Sequence, residues 1–207
     1  MLKNITEKDY EIVSLFTRDY AAEYSISEMT KKLGINYSNA FKRVKELAKS
    51  KVLNLKKIAT VSHVSFNMKS KEAVNLLSYV DAAEGMRICN ASVGDLVEAA
   101  IHVDPLCCVG LFGSRAAGTN RKDSDWDMFI IVQNGNRREM ENIRSVVPYA
   151  KDIHLLVFNE DEFHDSVLSP EETVVKHILR NKRILHNPSP FYNLAALWEK
   201  VKYAPAK

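Results

Sequence analysis

Residues 109–132 read VGLFGSRAAGTNRKDSDWDMFIIV, and this stretch holds the groups best suited to chemistry. Gly113 and Ser114 follow an apolar run. A glycine lets a phosphate come close to the backbone, and a serine hydroxyl can bond it. The residues after them open a helix, whose first N–H groups have no intrahelical partner and favour an anion. Arg115 adds a forked donor that matches phosphate geometry. Asp125 and Asp127 stand at i and i+2, so on a strand both carboxylates leave the same face. Two hard carboxylates beside a phosphate cradle suit Mg²⁺, or Mn²⁺ in its place. Metal ions held there would polarise an α-phosphate and neutralise a leaving pyrophosphate. A lone GS turn or a lone DxD is commonplace. The strand, the turn, the spacing and the second strand together are specific. Asp123 and Ser124 read as the turn before that second strand.

These side chains need a frame. An apolar strand over Leu106 to Phe112 delivers Gly113, and a strand over Trp126 to Val132 carries the aspartates. A helix from about Ser92 to His102 leads into them. Ile153 to Phe158 is a third strand. Ser169 and Glu172 form a capping box, with Pro170 in the first turn, and open a helix. A short strand over Arg183 to Leu185 and a last helix over Phe191 to Lys202 close the chain. Cys107 and Cys108 fall in the first strand and read as core rather than as nucleophiles.

The segment resembles the GS-x(10)-DxD signature of the DNA polymerase beta-like nucleotidyltransferase superfamily. It is most similar to the minimal branch, whose GSRARG-like start is matched here by Gly113 to Gly118. The resemblance spans about residues 92–187. It implies an α/β (α+β) domain with a mixed β-sheet, a nucleoside triphosphate substrate with ATP foremost, and Mg²⁺ or Mn²⁺. In those terms Gly113, Ser114 and Arg115 hold the nucleotide, and Asp125 and Asp127 hold the metal. A nucleoside monophosphate would pass to a hydroxyl of a protein, an RNA or a small molecule. The family adds a third carboxylate on a later strand. The matching run is DIHLLVFNEDEF, residues 152–163, and aligning Glu162-Phe163 puts His154 at that place. Asp152, two residues earlier, is the alternative on the same strand face. His154 reads equally well as a base or metal ligand and as an ordinary packed histidine. Lys176, Arg180, Lys182 and Arg183 read as triphosphate or acceptor contacts, or as a solvated helix face. Residues 188–207 form a helical tail without a family counterpart.

Charge separates the chain into two parts. Residues 1–88 hold 15 Lys/Arg and 10 Asp/Glu, a net of +5; residues 89–207 hold 14 and 16, a net of −2. Residues 31–57 carry nine basic side chains against Glu46, which suggests a polyanion partner or a solvated lysine face. Helices are expected from Thr6 to about Tyr24, from Ser27 to Leu33, and from Asn36 or Ser38 to about Ser50. Strands over Val52 to Leu55 and Ile58 to Phe66, joined at Lys56-Lys57, and a helix over Ser70 to Arg87 follow. The run from Ser25 to Leu53 resembles winged helix-turn-helix domains of prokaryotic regulators. That resemblance covers residues 1–88 and implies DNA binding. Tyr37, Asn39, Lys42, Arg43, Lys45 and Lys49 would face the groove, and Lys56 and Lys57 would lie at the wing tip.

Two functions of different class therefore stand. One is a metal-dependent nucleotidyltransferase with a DNA-binding winged helix, in an antitoxin-like role on a partner protein. The other is a DNA-binding regulator whose transferase domain is inactive or senses nucleotide. A winged helix that only docks a partner or forms a homodimer, through the Ser70 to Arg87 helix, is a third reading. The longest apolar runs are too short to span a bilayer, and the first residues lack an apolar signal core. The three cysteines have no CxxC spacing. A cytoplasmic protein with no membrane partner is expected.

Overall fold

The computed structural model describes residues 5–132, 136–147 and 150–202. The chain forms two compact units, Met1–Val80 and Asp81–Lys207.

In the first unit, Thr6 caps α1 (Glu7–Ser14) through a capping box with Asp9. Ser25 and Glu28 form the same device at the start of α2 (Ile26–Leu33), and Asn36 caps α3 (Tyr37–Lys49). Ala40, Val44 and Leu47 are the buried stripe of α3, spaced as a helix face requires. β1 (Glu23–Ser25), β2 (Leu53–Ile58) and β3 (Val61–Phe66) make an antiparallel sheet in the order β1-β3-β2. The first helix ends ten residues before the expected Tyr24. Thr17 Oγ1 bonds the Ser14 carbonyl, and Phe16 and Tyr20 turn into the core. The chain is thereby free to pair Glu23–Ser25 with β3, a strand that three residues do not announce. The hairpin also turns later than expected. Its tip is Ala59-Thr60, with Ala59 at φ 52°, so Lys56 and Lys57 lie inside β2 opposite His63 and Ser62.

α4 (Lys71–Gly85) contains the division between the units, followed by a 3₁₀ turn at Met86–Ile88. The division precedes the Gly85 to Ser92 boundary suggested by charge, because Asp81 is fastened into the second unit. Its buried carboxylate meets Lys182 Nζ at 2.7 Å and the Tyr192 hydroxyl at 2.6 Å.

The second unit runs α5 (Ala91–Val103), β4 (Cys108–Leu111), α6 (Gly113–Ala117), β5 (Trp126–Val132), α7 (Arg137–Val146) and β6 (Ile153–Asn159). It continues with α8 (Glu160–Leu168), α9 (Val174–Arg180), β7 (Arg183–His186) and α10 (Pro188–Lys202). The sheet order is β6-β5-β4-β7, with β5 and β6 parallel and the other pairs antiparallel, so the sheet is mixed. Val109, Leu111, Met128, Ile130 and Val132 face α5 and α7 in one core. On the opposite face Phe129 meets Phe163 of α8 and Phe191 of α10 at ring distances of 6.5 and 5.9 Å. Gly110 makes room for that cluster, since a Cβ there would stand 2.5 Å from the Phe129 ring.

α7 and α8 are the elements the sequence pattern leaves unannounced. Ser169 closes α8 rather than opening the next helix, since its N–H bonds Asp165 O at 2.9 Å. Thr173 is the cap of α9. Cys107 and Cys108 are buried, as expected of core residues, and burial pushes the Cys107 thiol up to about 12 and Cys108 further. Among the described residues no helix is long and apolar enough to cross a membrane. Residues 203–207 of the expected tail lie outside the described residues.

Candidate functional site

The site forms where β4 ends and β5 begins. The Phe112 N–H donates to the Asp127 carbonyl at 2.9 Å, extending the pairing by one bond. The chain then turns at Gly113, which has φ +70°. A Cβ at that position would lie 2.3 Å from Asp127 Oδ2. Glycine is needed here twice over, for its left-handed backbone and for the carboxylate resting against it. The same contact brings the GS turn and the second aspartate into one place. Ser114, the second residue of α6, is half-buried; its carbonyl accepts from the Thr119 N–H at 3.0 Å.

Asp125 is exposed and directly precedes β5, and Asp127 is the second residue of that strand. Trp126 lies between them beneath the Arg115 guanidinium, 4.1 Å from the ring centroid. Arg115 Nε donates to the Ser124 carbonyl at 3.0 Å and to the Asp125 carbonyl at 3.2 Å; Nη2 also bonds Ser124 O. Arg115, expected at phosphate, is engaged with its own loop. Its guanidinium clamps the loop that presents Asp125, because two carbonyls and an indole face surround it. Ser124 Oγ accepts from the Arg121 N–H at 2.9 Å and closes the turn before the aspartates.

β6 adds the third group. The parallel register sets His154 beside Asp127, and its Nδ1 is 3.3 Å from Asp127 Oδ1. The imidazole is largely exposed. Asp152 does not share its strand face. β6 begins at Ile153, and Asp152 ends the 3₁₀ turn Ala150–Asp152, where pleat alternation does not operate. Asp125 and Asp127 are hard oxygen donors of the kind a divalent cation takes, while the neighbouring strand offers an imidazole. Among the described residues no group of three or more His, Cys, Asp or Glu is placed to hold a metal ion.

The later basic residues are not a triphosphate cradle, and they are not a uniform solvated face. Lys182 is fully buried against Asp81 and Tyr192, and burial lowers its pKa against the pull of Asp81. Lys176 Nζ bonds the Ser169 and Glu171 carbonyls, and Arg180 pairs with Glu172. Arg183 is buried. Nothing local in the sequence signals the bond from Asp81 to Lys182, which spans 101 positions.

In the first unit Tyr37, Asn39, Lys42, Lys45 and Lys49 are exposed on α3. Tyr37 stacks on Phe41 at 6.1 Å, and Lys45 Nζ lies 4.5 Å over the Phe41 ring. Arg43 departs from the expected outward face. Its Nε donates to buried Asp9 at 2.8 Å, Nη2 also bonds Asp9, and Nη1 bonds Glu46. The Asp9 carboxylate needs a cation because it has left water. Lys56 and Lys57 are exposed, but as neighbours on β2 they point to opposite faces rather than forming one tip.

Residues 96–190 match the family model "Polymerase beta, Nucleotidyltransferase", so the site described above lies in a region similar to that family. A solved structure described as "Crystal structure of the toxin-antitoxin with AMP-PNP" is 19% identical, with a TM-score of 0.36. The alignment covers 55% of this chain and 87% of that one. No curated protein matches the chain.

Proposed function

We propose that the second unit transfers a nucleoside monophosphate from a nucleoside triphosphate, with ATP foremost, to a hydroxyl acceptor. The observation that carries this reading is the Asp127 carboxylate lying against Gly113 at the GS turn, with Asp125 two residues away on a loop clamped by Arg115. The family match over residues 96–190 supports the reaction class. Gly113 and Ser114 would offer backbone and hydroxyl donors to phosphate oxygens. Asp125 and Asp127 would hold Mg²⁺ or Mn²⁺, which when bound supplies charge neutralisation at the α-phosphate and at the leaving pyrophosphate. His154 bonds Asp127 and so orients that carboxylate. The acceptor oxygen forms a bond to the α-phosphorus, the bond to the bridging oxygen breaks, and pyrophosphate leaves.

Calorimetry with ATP and Mg²⁺ or Mn²⁺ tests this on the wild type and on the Asp125→Asn/Asp127→Asn variant. Metal-dependent binding lost in the variant is the expected result. Absence of binding in the wild type overturns the reading.

His154, where the resemblance places a carboxylate, favours a second reading, a unit that binds nucleotide without transferring it. Nucleotide binding with no label moved from ATP to any acceptor would select it. For the first unit, the exposed amide and basic side chains of α3, followed by the β2–β3 hairpin, support a winged helix that binds DNA. The whole chain would then join nucleotidyl transfer to operator binding.

A further inference from the structure

The two carboxylate oxygens of Asp127 have different neighbours. Oδ2 rests against Gly113, where an added Cβ would stand 2.3 Å away, and Oδ1 turns to His154. Strand alternation sets this up. Met128 and Ile153 point into the core, so Asp127 and His154, paired across β5 and β6, leave the opposite face side by side. The His154 side chain is 60% exposed and that of Asp127 30%, so an ion from solvent reaches both. Among the described residues the ring nitrogens of His154 meet no partner except Asp127.

His154 Nδ1 and Asp127 Oδ1 are 3.3 Å apart, longer than the roughly 2.9 Å usual for an N–H···O bond. Two donor atoms each about 2.1 Å from one ion stand about 3.0 Å apart at a right angle and about 3.4 Å apart at the tetrahedral angle. The pair therefore has the spacing of two ligands on a shared cation. No group of three such donors is preassembled among the described residues, so phosphate oxygens and water must fill the rest of the shell. Cation and nucleotide then bind together rather than one after the other.

We infer that His154 is itself a ligand: its Nδ1 and Asp127 Oδ1 hold one divalent cation between them, and the nitrogen makes the site prefer a first-row transition ion to Mg²⁺. This rests on the metal-dependent nucleotide site proposed above. Mg²⁺ is hard and takes oxygen donors. An imidazole suits transition ions, whose affinity for such a site rises from Mn²⁺ to Co²⁺. Without a cation the same two atoms share the hydrogen bond that orients Asp127.

The test uses the full chain with an ATP analogue whose α,β-bridge cannot be cleaved, so that binding is read without turnover. Calorimetric titrations compare Mg²⁺, Mn²⁺ and Co²⁺ on the wild type, His154→Asp and His154→Gln. The wild type should bind Co²⁺ tightest, then Mn²⁺, then Mg²⁺. His154→Asp should lower the ratio of Co²⁺ to Mg²⁺ affinity about tenfold, a comparison in which the nucleotide's own preference cancels. Mn²⁺ spin-echo spectra of the nucleotide complex read the ligand directly. Chain labelled with ¹⁵N in histidine alone should show ¹⁵N modulation, and His154→Gln should lose it. An unchanged ratio in His154→Asp, or spectra without the histidine signal while nucleotide and metal still bind, overturns the inference and leaves the nucleotide site standing. If no cation supports nucleotide binding in the wild type, the nucleotide site itself has failed and the inference falls with it.

Discussion

Gly113 is the residue on which the candidate site turns. Its φ of +70° and the Asp127 oxygen 2.3 Å from any added Cβ make the smallest substitution costly. Gly113→Ala should lower stability by about 1–2 kcal/mol from the left-handed backbone alone. It should also displace the Asp127 carboxylate, so metal-dependent ATP binding falls more than stability does. Urea unfolding paired with calorimetry separates the two effects. If stability drops while ATP affinity is unchanged, Asp127 does not depend on the Gly113 contact. The cysteines give a second prediction at this scale. The folded Cys107 thiol sits near 12 and Cys108 higher, against about 8.5 for an unfolded cysteine. The native state therefore keeps these protons after the unfolded state has lost them. Stability is full below pH 8.5 and declines as pH rises from there toward 12. Unfolding midpoints measured from pH 7 to 10 should fall above 8.5, and a thiol reagent at pH 8 should leave Cys107 and Cys108 unmodified until denaturant is added.

At the scale of elements, two ion pairs fasten helices that the sequence places far apart. Arg43 ties α3 to buried Asp9 of α1. Arg43→Ala strands that carboxylate and should cost about 3 kcal/mol. Lys42→Ala, one residue away and exposed, should leave stability unchanged. It should weaken DNA binding and lower the salt slope by about one. Thermal melts and anisotropy titrations at several salt concentrations check the pair. A DNA defect in Arg43→Ala without a stability loss would contradict the structural assignment. Lys182 plays the matching part for α4 and α10, sealed with Asp81 and the Tyr192 hydroxyl. Lys182→Met alone leaves a buried carboxylate and should cost about 3–5 kcal/mol, of which Asp81→Leu in the same chain should restore a large part. A double-mutant cycle in urea measures the coupling.

For the whole molecule, the change of charge sign along the sequence corresponds to two compact units, and the proposed chemistry is divided between them. Asp125→Asn/Asp127→Asn should abolish nucleotide binding and leave DNA affinity and its salt dependence as in the wild type. Conversely, Lys42→Ala combined with Lys49→Ala should reduce DNA affinity and leave ATP binding intact. Nucleotide titrations and DNA titrations on both variants give the four numbers. A loss of both activities in either variant would show that the two functions are not separable in this way.

The sequence by itself determined what rests on local pattern. The strand over Trp126–Val132 is legible because five of its seven residues are aromatic or β-branched and they follow a turn of polar ones. Asn36 and Thr6 declare their helices, since a cap satisfies backbone donors within four residues. The run of Gly113, Ser114, Asp125 and Asp127 carried the resemblance to nucleotidyltransferases, which the family match over residues 96–190 supports. Only the tertiary structure decided the rest. Arg115 and Arg43 look like free cations in sequence, yet their partners are carbonyls nine and ten positions on and a carboxylate 34 positions back. Asp152 falls in a 3₁₀ turn rather than on the strand face of His154 because β6 starts one residue later than the alternation required. That β6 stands at the end of the sheet order has no sequence signature, because a strand's neighbours are chosen by the topology of the sheet rather than by the strand.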